Sequence, residues 1–144
     1  MLSELSTRPT WVVTVYAEMM DGLRSHYAQQ YGGDGSAVFT AVSLLSTLFI
    51  ANVSGLVLLI DELLHRGRMT LGWWIDGNRV AVAAFAVLVL MAHWLFAKRV
   101  GIYDRHGPVR GTYWRRCFRV YAWSTVCVFL LPVIIAIARR VLQG

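Results

Sequence analysis

Residues 37–60 read AVFTAVSLLSTLFIANVSGLVLLI, a run of 24 residues without a charged side chain. Two further runs of this kind follow: 80–97 (VAVAAFAVLVLMAHWLFA, 18 residues) and 120–138 (VYAWSTVCVFLLPVIIAIA, 19 residues). A helix that rises 1.5 Å per residue needs about 20 apolar residues to cross a hydrocarbon core of about 30 Å. Each run is continuously apolar rather than alternating, which favours helices over membrane strands. The sequence therefore predicts an all-α integral membrane protein with three transmembrane helices.

The composition of the 144-residue chain agrees with this prediction. Hydrophobic residues make up 57%, charged residues 15%, and the mean hydropathy is +0.53. Soluble domains are about 45–50% apolar and about 25% charged, so a disordered segment, a collagen and an ordinary soluble enzyme are excluded. Two cysteines are too few for a disulfide scaffold. Because the sequence has no internal repeat and no low-complexity tract, we expect residues 1–144 to form a single membrane domain.

Residues 7–31 carry the pattern of an amphipathic helix that precedes the first span. At 100° per residue, one arc is apolar: Val12, Val13, Tyr16, Met19, Met20, Leu23 and Tyr27. The opposite arc is polar: Thr14, Glu18, Asp21, Arg24, Ser25 and Gln29. Such a helix is too polar to span a membrane, so it either packs on a partner or lies in the membrane interface. Trp11 and the tyrosines that flank the apolar arc favour the interface.

The distribution of basic residues predicts the orientation. With three spans, the N-terminal segment and the 98–119 loop share one side, and the 61–79 loop and the C-terminus share the other. The first side carries nine Lys and Arg residues and the second carries five. The positive-inside rule then places the N-terminus in the cytoplasm and the C-terminus in the periplasm of a bacterial inner membrane.

The chain has a formal net charge of +6, and Lys98 is its only lysine. In a soluble protein this charge would raise the question of nucleic-acid binding. Here the basic residues lie at the ends of the apolar runs, where they serve as topology signals and contact anionic lipid headgroups. No nucleic-acid recognition motif accompanies them. We therefore expect membrane lipids, and not nucleic acid, as partners.

The segment YWRRCFRVYAW, residues 113–123, holds five aromatic and three arginine side chains at the start of the third span. The general interpretation is an aromatic belt with headgroup anchors. The sharper hypothesis is a specific site for lipid or a partner protein, because guanidinium groups bind phosphate or carboxylate in a bidentate fashion and stack on rings. Its candidate contacts are Tyr113, Trp114, Arg115, Arg116 and Arg119. A pocket for a phosphorylated headgroup would need a second basic wall, for which the candidates are Lys98 and Arg99.

The first span carries a stripe of small polar residues. Thr40, Thr47, Ser54 and Asp61 recur every seven residues, and Ala51 with Gly55 forms a pair of small residues four apart. Small and hydroxyl side chains allow close approach of helices and hydrogen bonds between them. We therefore expect this face to pack against protein, with a pore lining as the alternative.

Besides the hydroxyl side chains, one amide and one imidazole fall within the apolar runs. Asn52 is an amide at mid-span and must find a hydrogen-bond partner there. His93 is the titratable group well inside a span, and an intramembrane ionisable residue raises the hypothesis of a functional site. Haem ligation is one such hypothesis, although no second histidine lies within a span. The simpler interpretation is a neutral histidine hydrogen-bonded to Asn52 or to a hydroxyl, and we expect no cofactor and no metal.

The sequence contains no catalytic motif, so we expect a protein that is not an enzyme. Three classes of function remain. The first, which we favour, is a small non-catalytic subunit that binds partner helices and lipid within a larger membrane complex. The second is a homo-oligomeric pore or a membrane-disrupting effector, such as a phage holin or an antiphage defence component. The third is a small transporter or a haem-binding redox subunit that uses His93.

Overall fold

The computed structural model describes residues 11–65, 78–106, 108–109 and 111–143. In these residues the chain is helical, with four long α-helices and one short 3-10 turn, and it contains no strand. Helix α1 is Trp11–Tyr31, α2 is Asp34–His65, α3 is Arg79–Arg99 and α4 is Tyr113–Gln143. The 3-10 turn, Ile102–Asp104, follows α3.

Three of the described helices are long and apolar enough to cross a membrane: α2, α3 and α4. They contain the three apolar runs, each extended by polar residues at its ends. In its described residues the chain is therefore all-helical, with three candidate membrane spans. The predicted start of the first helix at residues 7–10 lies outside the described residues.

Helix α2 is the central element of the molecule. It packs against α1, α3 and α4, whereas α3 and α4 scarcely touch each other. Its 32 residues make it about 48 Å long, well beyond the roughly 30 Å of a hydrocarbon core. Helix α3, with 21 residues, is only about 31 Å long. Helix α2 is therefore about 17 Å longer than α3.

Glycines with positive φ make two tight connections, one between α1 and α2 and one after α3. Gly32 has a φ of +71° and joins α1 to α2, and its N–H donates to the carbonyl of Ala28. Gly101 has a φ of +68° immediately after α3 and leads into the 3-10 turn. A left-handed residue at this position is the common way to end a helix, and glycine adopts it without steric cost.

The hydrophobic core lies at one end of the bundle, where α1, the first half of α2, the end of α3 and the start of α4 meet. Its fully or nearly fully buried members are Met20, Leu23, Val38, Ala41, Val42, Leu45, Ala97, Ile102 and Trp114. Four of them belong to the first turns of the run 37–60, within the candidate span of α2. These turns pack against α1 and the 3-10 turn.

The predicted interfacial placement of α1 is not confirmed. The helix forms, but it packs along α2, and half of its predicted polar arc is inside the molecule: Asp21, Arg24 and Ser25 are buried. Thr14, Glu18 and Gln29 remain exposed. The buried polar groups are tolerated because each is hydrogen-bonded or ion-paired, as buried polar atoms must be.

Candidate functional site

Trp114 is the side chain around which the packed end is organised. It is 9% exposed, and its indole lies against α1 at Gly22, where a β-carbon would come within 2.2 Å of Cδ2 of the ring. A larger residue at position 22 would prevent this contact between α1 and α4. The indole separates two clefts, one lined by mixed charges and one lined by basic and aromatic residues.

The first cleft, of about 460 Å³, is lined on one side by the buried carboxylate of Asp21. Arg24 donates from Nε to Oδ1 of Asp21 at 2.9 Å, and Arg105 donates from Nη1 to Oδ2 at 3.0 Å. Nearby, the N–H of Val109 donates to Oγ of Ser25 at 3.0 Å. These bonds fasten the loop after α3 to the side of α1, and two guanidinium groups compensate the buried carboxylate.

The second cleft, of about 310 Å³, lies between α1 and α4 on the other side of Trp114. Its lining from α1 is Leu23, His26 and Tyr27, and its lining from α4 is Trp114, Arg115, Phe118 and Arg119. The guanidinium of Arg115 stacks over the Trp114 ring at 5.4 Å from the centroid. Nε of Arg119 donates to the carbonyl of Arg115 at 3.4 Å. The described lining contains no acidic side chain, so its charge is positive.

The residues predicted to contact lipid or a partner do not all lie in one cleft. Trp114, Arg115 and Arg119 line the second cleft. Tyr113 lines the first cleft instead, and Arg116 is exposed without lining either. Lys98 and Arg99 are exposed at the end of α3, with Nζ of Lys98 over the Trp94 ring at 5.6 Å, and they do not line the second cleft. The expected second basic wall is therefore replaced by aromatic and apolar residues of α1.

His93 is hydrogen-bonded through both ring nitrogens. Nδ1 lies 2.8 Å from the carbonyl oxygen of Val89, so Nδ1 carries the proton, because a carbonyl only accepts. In the neutral ring Nε2 then accepts from the hydroxyl of Tyr16 on α1. Burial raises the pKa of the Tyr16 phenol, which keeps it a donor. A haem iron at Nε2 would have to displace Tyr16.

The tyrosine that binds His93 also joins three helices. Its ring packs edge-on against Phe96 of α3, at 5.6 Å between centroids, and against Tyr121 of α4, at 6.4 Å. Phe49 of α2 contacts the other side of the imidazole at 5.7 Å. Through Tyr16, the apolar arc of α1 thus contacts both α3 and α4.

Asn52 lies at the contact between α2 and α4. Its Nδ2 donates to Oγ1 of Thr125 at 2.8 Å and to the carbonyl of Leu48 at 3.0 Å. Oγ1 of Thr125 in turn donates to the carbonyl of Tyr121 at 3.1 Å. An amide in this position holds two spans in register, because sliding either helix would leave polar groups without partners in an apolar environment.

The small residues of the stripe on α2 fall into two groups, one that packs against α4 and one that bonds within α2. Gly55 is buried against α4: a β-carbon there would lie 2.7 Å from Cγ1 of Val128. Its predicted companions Ala51 and Ser54 are half-buried. Thr40 and Thr47 instead donate to carbonyls of their own helix, those of Ser36 and Ser43, at 2.9 Å in each case. These two hydroxyls lie at the surface and make no contact between helices in the described structure.

At the end of the bundle opposite the hydrophobic core, an ion pair joins α2 to α4. Nη1 of Arg139 donates to Oε1 of Glu62 at 2.9 Å and also to the Glu62 carbonyl. Together with the pairs Asn52–Thr125 and Gly55–Val128, this contact makes α2 and α4 a parallel pair with contacts along most of their length.

Sequence reasoning missed several residues that matter at these contacts. Asp21 was placed on the polar arc of the predicted amphipathic helix, and Gly22, Arg105 and Thr125 were not singled out. Glycine in a helix interior is unfavourable by about 1 kcal/mol relative to alanine, so Gly22 in the middle of α1 was the available signal of a close contact.

Within the described ranges, no three His, Cys, Asp or Glu side chains come close enough to hold a metal ion. The chain matches no known family model, and no curated protein or solved structure is significantly similar to it.

Proposed function

We propose that this chain is a small non-catalytic subunit that binds partner helices and lipid within a larger membrane complex. The observation that carries the proposal is the open arrangement of the spans. In the most apolar 18-residue segment of each span, only 11–17% of the residues are buried within the molecule. The three spans are held by one central helix, so most of their apolar surface is available to other helices or to lipid.

The outer face of α3 is the surface we assign to a protein partner. Val89 and Ala97 are its only buried residues among those described. On the opposite side, Leu88, Met91 and Leu95 are each more than half exposed and lie three and four residues apart. A helix attached mainly along one side to α2 offers this row to a partner helix, which would pack on it as α4 packs on α2.

The packed end gives this subunit a rigid platform at the membrane surface. In the proposal, the second half of α1 lies at the headgroup level of a bacterial inner membrane, on the cytoplasmic side, and the C-terminus is periplasmic. The asymmetry of nine basic residues against five supports this orientation. The exposed Lys98 and Arg99 and the arginines of α4 lie at the same end as the core, where they would face anionic headgroups.

Affinity purification in a mild detergent tests the proposal. Tagged protein should bring a defined set of other membrane proteins, identified by mass spectrometry. The variant Leu88→Trp with Leu95→Trp should lose them, because the added bulk clashes with a helix but not with fluid lipid. The control, Leu130→Trp with Ile137→Trp, places the same bulk on exposed positions of α4 and should retain them.

Recovery of a homo-oligomer alone would contradict the subunit proposal and support a pore. Equal loss of partners in both variants would contradict the assignment of the α3 face. A Soret absorption band in the purified protein would support the redox alternative.

A further inference from the structure

We propose that the cleft between α1 and α4 binds one anionic membrane phospholipid, with the lipid phosphate held by Arg115 and Arg119. The inference deepens the lipid-binding part of the proposed function and requires membrane insertion, but it does not require a protein partner.

The charge of the cleft fits a phosphate. Two guanidinium groups line it, and the described lining residues include no carboxylate to compete for them. The two acidic residues of α1, Glu18 and Asp21, line the other cleft, on the far side of Trp114. The indole thus separates the basic site from these two negative charges.

The two arginines are already oriented. Arg115 stacks on Trp114 at 5.4 Å, and the Nε of Arg119 is hydrogen-bonded to the carbonyl of Arg115. That bond uses one of the five N–H donors of a guanidinium, so donors remain for an oxyanion. Arginine forks suit the tetrahedral oxygens of phosphate, and side chains that are held in place lose less entropy on binding.

The apolar surroundings fit a lipid rather than a free phosphate. Leu23 and Phe118 line the cleft beside the charges. The uncharged part of α4 begins at Val120, one residue after Arg119. On the helix face that continues from Arg119 lie Trp123, Val126 and Leu130, which are 66%, 43% and 52% exposed. A headgroup in the cleft would place an acyl chain along this face, and inorganic phosphate would make no use of it.

Native mass spectrometry of the full chain in detergent tests the inference. Phosphatidylglycerol and phosphatidylcholine with identical acyl chains are titrated in parallel. We expect one phosphatidylglycerol to bind at a concentration about ten-fold below that needed for phosphatidylcholine. The variant Arg115→Gln with Arg119→Gln should remove this difference. The variant Arg115→Lys with Arg119→Lys, which keeps the charge, should restore only part of it.

The matched control is Arg99→Gln with Arg116→Gln. It removes the same charge from exposed residues at the same end that do not line the cleft, and it should bind as the unchanged protein does. Equal loss in both glutamine variants would overturn the site in favour of diffuse attraction. Full retention with Arg115→Gln and Arg119→Gln would also overturn it, as would complete rescue by the two lysines.

A competition experiment distinguishes the sources of the phosphate. Glycerol 3-phosphate and inorganic phosphate, added at millimolar concentration, should leave the lipid bound, and displacement by either would overturn the assignment to a phospholipid. Each variant is checked for an unchanged thermal midpoint, which the surface positions of both arginines lead us to expect. If the lipid site fails while partner proteins still co-purify, the inference is wrong and the proposed function stands.

Discussion

The indole of Trp114 lies directly on the backbone of Gly22, so that α1 and α4 approach each other more closely than any side chain at position 22 would allow. Together with the packing of Tyr16 against Tyr121, this contact joins the first and the last described helices of the chain. It also sets the positions of Arg115 and of the α1 residues that complete the basic cleft. The site proposed for lipid therefore depends on a residue that does not line it.

We predict that Gly22→Ala destabilises the protein by about 1–3 kcal/mol, the range for overpacking of a filled core. The added methyl would lie 2.2–2.8 Å from three atoms of the indole ring. Chemical unfolding in detergent micelles, followed by tryptophan fluorescence, measures the effect. Gly35→Ala is the control: no atom lies within 4 Å of its β-carbon, and it should be neutral or slightly stabilising. Equal stability of the two variants would contradict the contact.

Gly55→Leu should separate α2 from α4. A β-carbon at Gly55 would already lie 2.7 Å from Cγ1 of Val128 and 3.3 Å from its carbonyl carbon, and leucine adds three more carbons. We expect a loss of at least about 2 kcal/mol in thermal or chemical unfolding and loss of assembly on a blue-native gel. The variant Val57→Leu adds bulk to an exposed position of the same helix and should behave as the unchanged protein. Unfolding of Gly55→Leu at the same midpoint as the unchanged protein would show that the two helices are not in contact there.

The hydrogen bond between Asn52 and Thr125 should contribute about 0.6–1.7 kcal/mol, the range found for such bonds between membrane helices. A double-mutant cycle with Asn52→Leu and Thr125→Val measures it, since the cycle removes the separate effects of each substitution. A coupling energy indistinguishable from zero would mean that the two side chains do not hold the spans in register.

Tyr16→Phe should loosen α1 from the three spans. It removes the hydroxyl that donates to His93 and leaves the ring contacts with Phe96 and Tyr121 in place. We expect a destabilisation of about 1 kcal/mol and faster hydrogen exchange at the start of α1, measured by mass spectrometry. The same substitution at Tyr31, which is 65% exposed, should leave exchange unchanged. Slower or unaltered exchange in Tyr16→Phe would contradict the role of this bond.

The distribution of basic residues predicts a periplasmic C-terminus. A reporter enzyme that is active only outside the cytoplasm, fused after residue 144, should be active, and the same reporter placed in the 98–119 loop should be silent. The reverse pattern would invert the orientation, and the basic cleft would then face the outer leaflet.

The three spans could be predicted because continuous apolar runs of sufficient length have few other stable structures. The helices extend beyond the apolar runs, through Asp61, Glu62 and residues 113–119, because charged side chains are tolerated where a helix leaves the hydrocarbon. The packing of Val38 and Leu45 inside the molecule could not be predicted, since a helix face buried in protein and one buried in lipid have the same composition.

The placement of α1 shows the same limit for a polar helix. The sequence predicts that the apolar arc is covered, either by a partner or by the membrane interface. Periodicity alone does not distinguish burial against lipid from burial against α2. The ion pair between the buried Asp21 and the exposed Arg105 depends on a contact across 84 positions of sequence. The basic cleft likewise needed the approach of α1 to α4, which no local pattern in residues 113–123 contains.

Trp114 packs on Gly22 and belongs to the same core as Leu45. The packing of α1 and α2 is therefore complete only after residue 114 has been synthesised. About 50 residues separate the end of α2 at His65 from Trp114. At about 5–20 residues per second, a ribosome needs roughly 3–10 s to cover that distance. Until residue 114 has been made, the position against Gly22 that its indole fills in the folded chain is empty. The core at the packed end is therefore complete only after synthesis of the last described helix has begun.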